Sequence, residues 1–165
     1  NGDPMPQVTD PTAWAALTSG AWCYYNNDST QGTTYGKLYN WYAVNDPRGL
    51  APSGWHIPGD AEWTDLETSL GGSSVAGGKM KEAGTYHWTS PNTGGNNNSG
   101  WAGLPGGYRY DNGTFYSVGS YGNWWSSTEV STSYAWNRSL TYYNGDFNRY
   151  NDFKKYGFSV RCLRD

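Results

Sequence analysis

Residues 123–162 read NWWSSTEVSTSYAWNRSLTYYNGDFNRYNDFKKYGFSVRC. Three short strand candidates stand in or at the edge of this stretch: WWSST, YAWNRSL and YGFSVRCL. Between the last two lies TYYNGDFNRYNDFKKYG, where Asn144-Gly145 is a hairpin turn signal. Residues 123–156 carry ten aromatic side chains: Trp124, Trp125, Tyr134, Trp136, Tyr142, Tyr143, Phe147, Tyr150, Phe153 and Tyr156. The three tryptophans have the more apolar surroundings and are assigned mostly to the core. Tyr142, Tyr143, Phe147, Tyr150, Phe153 and Tyr156 have polar neighbours on both sides. They follow no helical period, and two-residue alternation holds only in patches. A single hydrophobic face cannot take them all. Either they belong to an aromatic-rich core and sheet, or some of them face a partner. Tyr and Trp among Ser, Asn and Gly form the composition of a binding paratope, where rings bring contact area at low entropy cost.

Upstream, GLPGGYRYDNGTFYSVG (103–119) reads as a hairpin, with YRY, a DNG turn and TFYSVG. Little periodicity is present from 73 to 122, and SPNTGGNNNSG (90–100) is polar enough to be a loop. The clearest helix is PGDAEWTDLETSL (58–70). Asp60 is its expected N-cap, Trp63, Leu66, Glu67 and Leu70 recur at three or four residues, and Gly71 and Gly72 stop it. PTAWAALTS (11–19) suits a second, short helix opened by Pro11. GAWCYYN (20–26) reads as a strand, NNDSTQG as a turn, and YGKLYNWYAV (35–44) as an apolar run ending at the NDPRG turn. With no internal repeat and no boundary, residues 1–165 form one domain. The expected class is α+β, two helices packed on a small, interrupted antiparallel sheet with long loops.

Composition narrows the function. The 165 residues include Gly 23, Tyr 15 and Trp 10, and an aromatic share of 18% argues against disorder. A net charge of −3 supplies no basic field for nucleic acid. Arg109, Arg138, Arg149, Lys154, Lys155 and Arg161 are too few beside the late aromatics, and Arg109 and Arg161 read equally well as structural or as exposed. No apolar run reaches membrane-spanning length. The chain starts NGDPMP without Met, as expected for a processed or trimmed form.

Catalytic signals are absent. His56 and His87 read as structural or surface residues, and no GxSxG elbow is present. Acidic pairs around Glu62, Asp65 and Glu67 are solvated helix faces, and SSVAGGK lacks the phosphate-loop pattern. The expectation is a non-enzyme without a cofactor. A structural calcium ion on the loop residues Asp28, Asn45, Asp46 and Asp111 is the one addition the composition leaves open, against ordinary turn chemistry. Cys23 and Cys162 lie near opposite ends of the chain. They are either two buried thiols or a disulfide, and a loop-heavy domain gains most from the disulfide, about 4 kcal/mol in the entropic account. The disulfide is adopted, and it implies an oxidising location.

YGKLYNWYAVNDPRGLAPSGWHIPGDAEWTDLETSLGG (35–72), GGKMKEAG (77–84), LPGGYR (104–109), GNWWSST (122–128) and GFSVRC (157–162) together resemble the Fibrobacter succinogenes major paralogous domain. That resemblance implies a C-type lectin-like fold of the formylglycine-generating-enzyme type. The stretch from about Trp125 to Arg164 resembles the variable region of variable proteins of diversity-generating retroelements. Adenine miscopying there turns Asn codons into Tyr, Asp, Ser, Thr, Phe, Ile or His. The resemblance implies a framework of Trp124, Trp125, Ser126, Ser127, Trp136, Gly145, Gly157, Phe158 and Arg161. It implies ligand-binding side chains at Ser131, Ser133, Tyr134, Tyr142, Tyr143, Asp146, Phe147, Tyr150, Asp152, Phe153 and Tyr156, with Arg149 as a charged contact. The paired cysteines of formylglycine-generating enzymes are missing. Only SPN (90–92) and WNR (136–138) stand where lectins carry calcium motifs. The expected function is non-covalent recognition of a protein or glycan on another cell, from an extracellular, bacterial-surface or phage position. The alternatives are a structural module of a bacterial surface lipoprotein and an enzyme of unknown type.

Overall fold

The computed structural model describes residues 4–165. In the N-terminal part, short polar side chains start helices too brief to show a period. Asp10 accepts from the Ala13 N–H at 2.7 Å and opens α1 (Pro11–Ala15), which buries Trp14. β1 (Trp22–Cys23) leads into a 3-10 turn at Tyr25–Asn27. Asp28 then accepts from the Thr30 N–H at 2.8 Å and caps α2 (Ser29–Tyr35), so the expected NNDSTQG turn runs into a helix. β2 (Leu38–Tyr39) pairs antiparallel with β1, and Asn40 caps α3 (Trp41–Val44). β3 (Trp55–His56) precedes α4 (Asp60–Ser69) and α5 (Ser73–Met80).

At α4 the cap position belongs to Gly59, whose N–H donates to Glu62 Oε2 at 2.8 Å. Asp60 is the first helical residue and is directed to two arginines instead. α5 contains Gly77 and Gly78, poor helix formers. Contact explains them: a Cβ on Gly77 would lie 2.0 Å from the Asp146 carbonyl oxygen, and one on Gly78 2.6 Å from that of Gly94. The sequence there has no period because close approach, not a hydrophobic stripe, specifies it.

The C-terminal part holds β4 (Gly106–Arg109), β5 (Phe115–Val118), β6 (Tyr121–Glu129), β7 (Tyr134–Thr141) and β8 (Asn148–Phe153). They form one curved sheet in the order β5-β4-β6-β7-β8, with β4 parallel to β6 and the other pairs antiparallel. β9 (Leu163–Arg164) pairs with β3. The expected YGFSVRCL strand is mostly single bridges, with only Leu163 in a strand: Gly157, Phe158 and Ser159 bridge to Arg109, Tyr39 and Trp124 in turn.

Two expectations are corrected. The fold is not the C-type lectin-like arrangement of two helices on a small interrupted antiparallel sheet. It is a mixed α+β fold with five helices among the described residues and a five-stranded curved sheet. Local caps and tight backbone contacts create α2, α3 and α5, and neither leaves a hydrophobic period in the sequence. Nor are the cysteines joined: Cys23 and Cys162 are both free. Cys23 packs with Trp14 and Leu38, whereas Cys162 lies against the cluster of Trp41, Trp125 and Phe158. Burial pushes the Cys23 pKa up to about 11, against the opposing influence of Arg109.

The sheet separates two of the three core clusters. Trp124 and Leu140 project to one face, where Trp63, Met80, Trp88 and Phe147 cover them. Trp125 and Ala135 project to the other, against Trp41, Tyr156 and Phe158. Each large buried side chain contributes roughly 1.5–3 kcal/mol of transfer free energy.

Candidate binding cleft

The two faces of β6–β8 are finished differently. On the helix face, Arg138 is fully buried and its Nη1 donates to Asp60 Oδ1 at 2.7 Å. Cross-strand from it, Arg149 donates through Nη2 to Asp60 Oδ2, also at 2.7 Å, and lies 3.4 Å from the centroid of the Trp136 ring. Burial pushes the Asp60 pKa up, but the hydrogen bonds from Arg149 and Arg138 outweigh it and hold the carboxyl below the usual range. Lys81, also fully buried, donates to the carbonyls of Thr93, Thr141 and Asn144, each at 2.8 Å. A cavity of about 570 Å³ opens here beside Asp60, Asp146 and Arg149. Its charged wall already satisfies itself.

On the opposite face the alternate residues of the same strands meet a smaller cleft of about 250 Å³. Tyr108, Tyr110, Tyr121, Tyr150 and Tyr156 wall it, with Phe158, and Asn123, Ser139 and Asp152 bring polar atoms to it. Asn123 is paired with Ser139 across β6–β7, and Asn137 with Tyr150 across β7–β8. The rings brace one another: Tyr110 and Tyr156 have centroids 4.6 Å apart, and Tyr108 lies parallel to Tyr156 at 6.4 Å. A hydrogen bond with Tyr143, together with burial, raises the Tyr121 pKa to about 12. Asn137 Nδ2 donates to Asp152 Oδ2 at 2.8 Å and orients that carboxylate. Burial raises the Asp152 pKa, with the Asn137 hydrogen bond opposing it. Asn123 is 7% exposed and its Nδ2 has no hydrogen-bond partner, nor has Asn137 Oδ1. Buried amide groups are normally paired, and of these two orphans Asn123 lines the cleft.

The sequence-predicted site residues are divided among these surfaces. Tyr150, Asp152 and Tyr156 line the cleft, and Tyr143 reaches its rim through Tyr121. Ser133 and Phe153 line a recess with Tyr42 and Asp111, and Tyr134 stacks on Phe153 at 4.5 Å. Ser131 lies in the β6–β7 turn, where its Oγ accepts from the Tyr134 N–H at 3.3 Å. Asp146 and Arg149 belong to the helix face, and Tyr142 packs on its core. Phe147 is buried beside Trp63 at 1% exposure and offers no surface. Tyr156 is buried too, with contact only at the cleft floor.

Tyr108, Tyr121, Asn123 and Ser139 went unnoticed in the sequence. Asn123 gave a signal, a polar residue opening the apolar NWW stretch. Its significance depends on which strand lies beside it. Of the four calcium candidates, the Asp28 carboxylate caps α2 and Asp46 pairs with Arg48. Among the described residues no group of three or more His, Cys, Asp or Glu could hold a metal ion, and no helix is long and apolar enough to cross a membrane.

The family model for the Fibrobacter succinogenes major domain matches residues 1–164. The chain belongs to this family. No curated protein and no solved structure matches it. The motifs that carried the resemblance serve this major domain as framework: Trp124, Trp125, Ser126 and Phe158 are buried, and the Lys81 of GGKMKEAG ties the loop at Thr93 to the end of β7 and the turn after it.

Proposed function

We propose that this major domain is a non-covalent binding module displayed outside the cell, on a bacterial surface or a phage particle. Its contact face is the β8 edge with the tyrosine cleft beside it. One observation carries the reading. Tyr143, Tyr150 and Phe153 are exposed at 51%, 53% and 40% along β8 and the turn before it, on an edge strand paired along its length with β7. Exposed rings on a fixed scaffold give contact area with little entropy to lose. The partner is a protein or glycan on another cell. Residues 131–156 also carry the amino acids that adenine miscopying leaves, and we propose that a retroelement varies the exposed members of this set.

The test is binding of fluorescently labelled domain to intact bacterial cells, read by flow cytometry. Wild type is expected to bind a subset of strains. Tyr150→Ala/Phe153→Ala is expected to lose that binding with its melting temperature within a few degrees of wild type. A collapse in melting temperature would place those rings among the structural residues and overturn the reading, as would unchanged binding. Sequencing the locus across its source population tests diversification. Clustered changes at codons 143, 150 and 153 with GNWWSST intact support it, and a uniform segment removes it.

A further inference from the structure

The cleft between β6–β8 and the Tyr108–Tyr156 wall has the chemistry of a subsite, and what it lacks defines its guest. Its volume, about 250 Å³, falls below the roughly 300–1,000 Å³ of sites that enclose drug-sized molecules. It therefore takes one ring and not an extended ligand. Aromatic faces carry negative charge density and attract C–H bonds presented flat against them. Tyr108, Tyr121, Tyr150 and Tyr156 supply such surfaces. Asn123 Nδ2 is already shut off from solvent without an acceptor, and a wholly apolar guest, such as a Leu or Phe side chain, would leave it so. The guest must bring an oxygen to that donor and hydroxyl donors to Asp152, whose Oδ2 is already held by Asn137. Among the described residues no cationic side chain lines the cleft, and Asp152 repels an acidic ligand.

A ring with C–H bonds on its faces and neutral hydroxyls around its edge is a pyranose. Resting on the binding-module reading above, we infer that this cleft is a subsite for a single neutral pyranose residue of a surface glycan. Tyr150 and Tyr121 stack on the ring, Asn123 donates to one ring or hydroxyl oxygen, and Asp152 accepts from a hydroxyl. Phe153 and Tyr143 lie outside the cleft and meet neighbouring parts of the partner.

Saturation-transfer difference NMR on the intact domain tests this with methyl glycosides of glucose, galactose and mannose, with N-acetylglucosamine, and with glucuronate as the acidic control. At least one neutral probe is expected to take saturation on its ring C–H protons, with glucuronate bound tenfold or more weakly. Asp152→Asn and Asn123→Leu are each expected to weaken the neutral probe about tenfold or more while the protein's own spectrum stays folded. Two variants on different strands guard against one of them failing to fold. No transfer to any neutral pyranose, or affinity indifferent to both substitutions, overturns the inference. If cell binding is abolished by Tyr150→Ala/Phe153→Ala but neither these sugars nor Asn123→Leu affects it, the binding module stands and its partner is a protein side chain. If the sugars bind while the cells do not, the subsite stands and the display reading fails.

Discussion

The two faces of the β6–β8 sheet come from the same strands, yet one pairs its charged groups and the other leaves a buried donor unpaired. On the helix face, Arg138 and Arg149 share Asp60 on α4, and the fully buried Lys81 has three carbonyl acceptors. Two nitrogens remain without partners there, Trp63 Nε1 and Arg138 Nε, but neither residue lines the cavity on that side. On the cleft face an almost fully buried amide, Asn123 Nδ2, lies unpaired among braced tyrosines. Burial of a polar group costs free energy wherever it is not hydrogen-bonded. A fold that pairs its buried cations on one side and leaves a cleft-lining donor open on the other sets a cohesive face against one with an unmet polar group.

That contrast is broken most directly at Arg138. Arg138→Ala removes a buried cation, and with it half of the pairing of Asp60. It should cost about 3–5 kcal/mol in urea unfolding. A loss below about 1 kcal/mol would mean that the helix face is not held by this network. Gly77→Ala comes next. The added methyl meets the Asp146 carbonyl at 2.0 Å, so α5 must move off the β7–β8 connection, at about 1–3 kcal/mol.

On the cleft face the sign should reverse. Asn123→Leu replaces an unpartnered amide with an apolar group of similar size, and stability should hold or rise by up to about 1 kcal/mol. A clear loss would reveal a partner for Asn123 and erase the difference between the faces.

The smallest effect is expected away from both faces. His56 Nε2 lies 2.8 Å from Glu62 Oε1 and its Nδ1 2.6 Å from Asp165 Oδ1, linking β3, α4 and the residue after β9. The hydrogen bond with Asp165 and then that with Glu62 raise the His56 pKa above 6.5. Its contribution is therefore complete below pH 6.5 and is lost as pH rises through the raised folded value. The Gly59 N–H first, with help from His56, lowers the Glu62 pKa below 4.5. That contribution is present above pH 4.5 and is lost as pH falls through the lowered value. The β3–β9 pairing should be tightest between about pH 4.5 and 6.5. Intrinsic-rate-corrected amide exchange at Leu163 checks this, and pH-independent protection would remove His56 from the account.

The helix at 58–70, the 103–119 hairpin, and the strands WWSST and YAWNRSL were legible because each rests on local chemistry. A run of three-and-four spacing, a DNG turn and alternating apolar residues act within a few positions of one another. Family membership was legible for the same reason, as an ordered string of short motifs. The lectin-like arrangement and the disulfide were not, because both depend on where distant segments lie. Nothing near Cys23 says that it packs with Trp14 and Arg109 while Cys162 joins another cluster. The sequence determined that residues 131–156 hold more rings than one core face accepts. The tertiary structure alone decided that Phe147 goes inward, that Tyr143, Tyr150 and Phe153 stay out, and that Asn123 meets Asp152 and Tyr150 across strands. Alternation assigns residues to two faces, but only the neighbours in the sheet decide which face is covered.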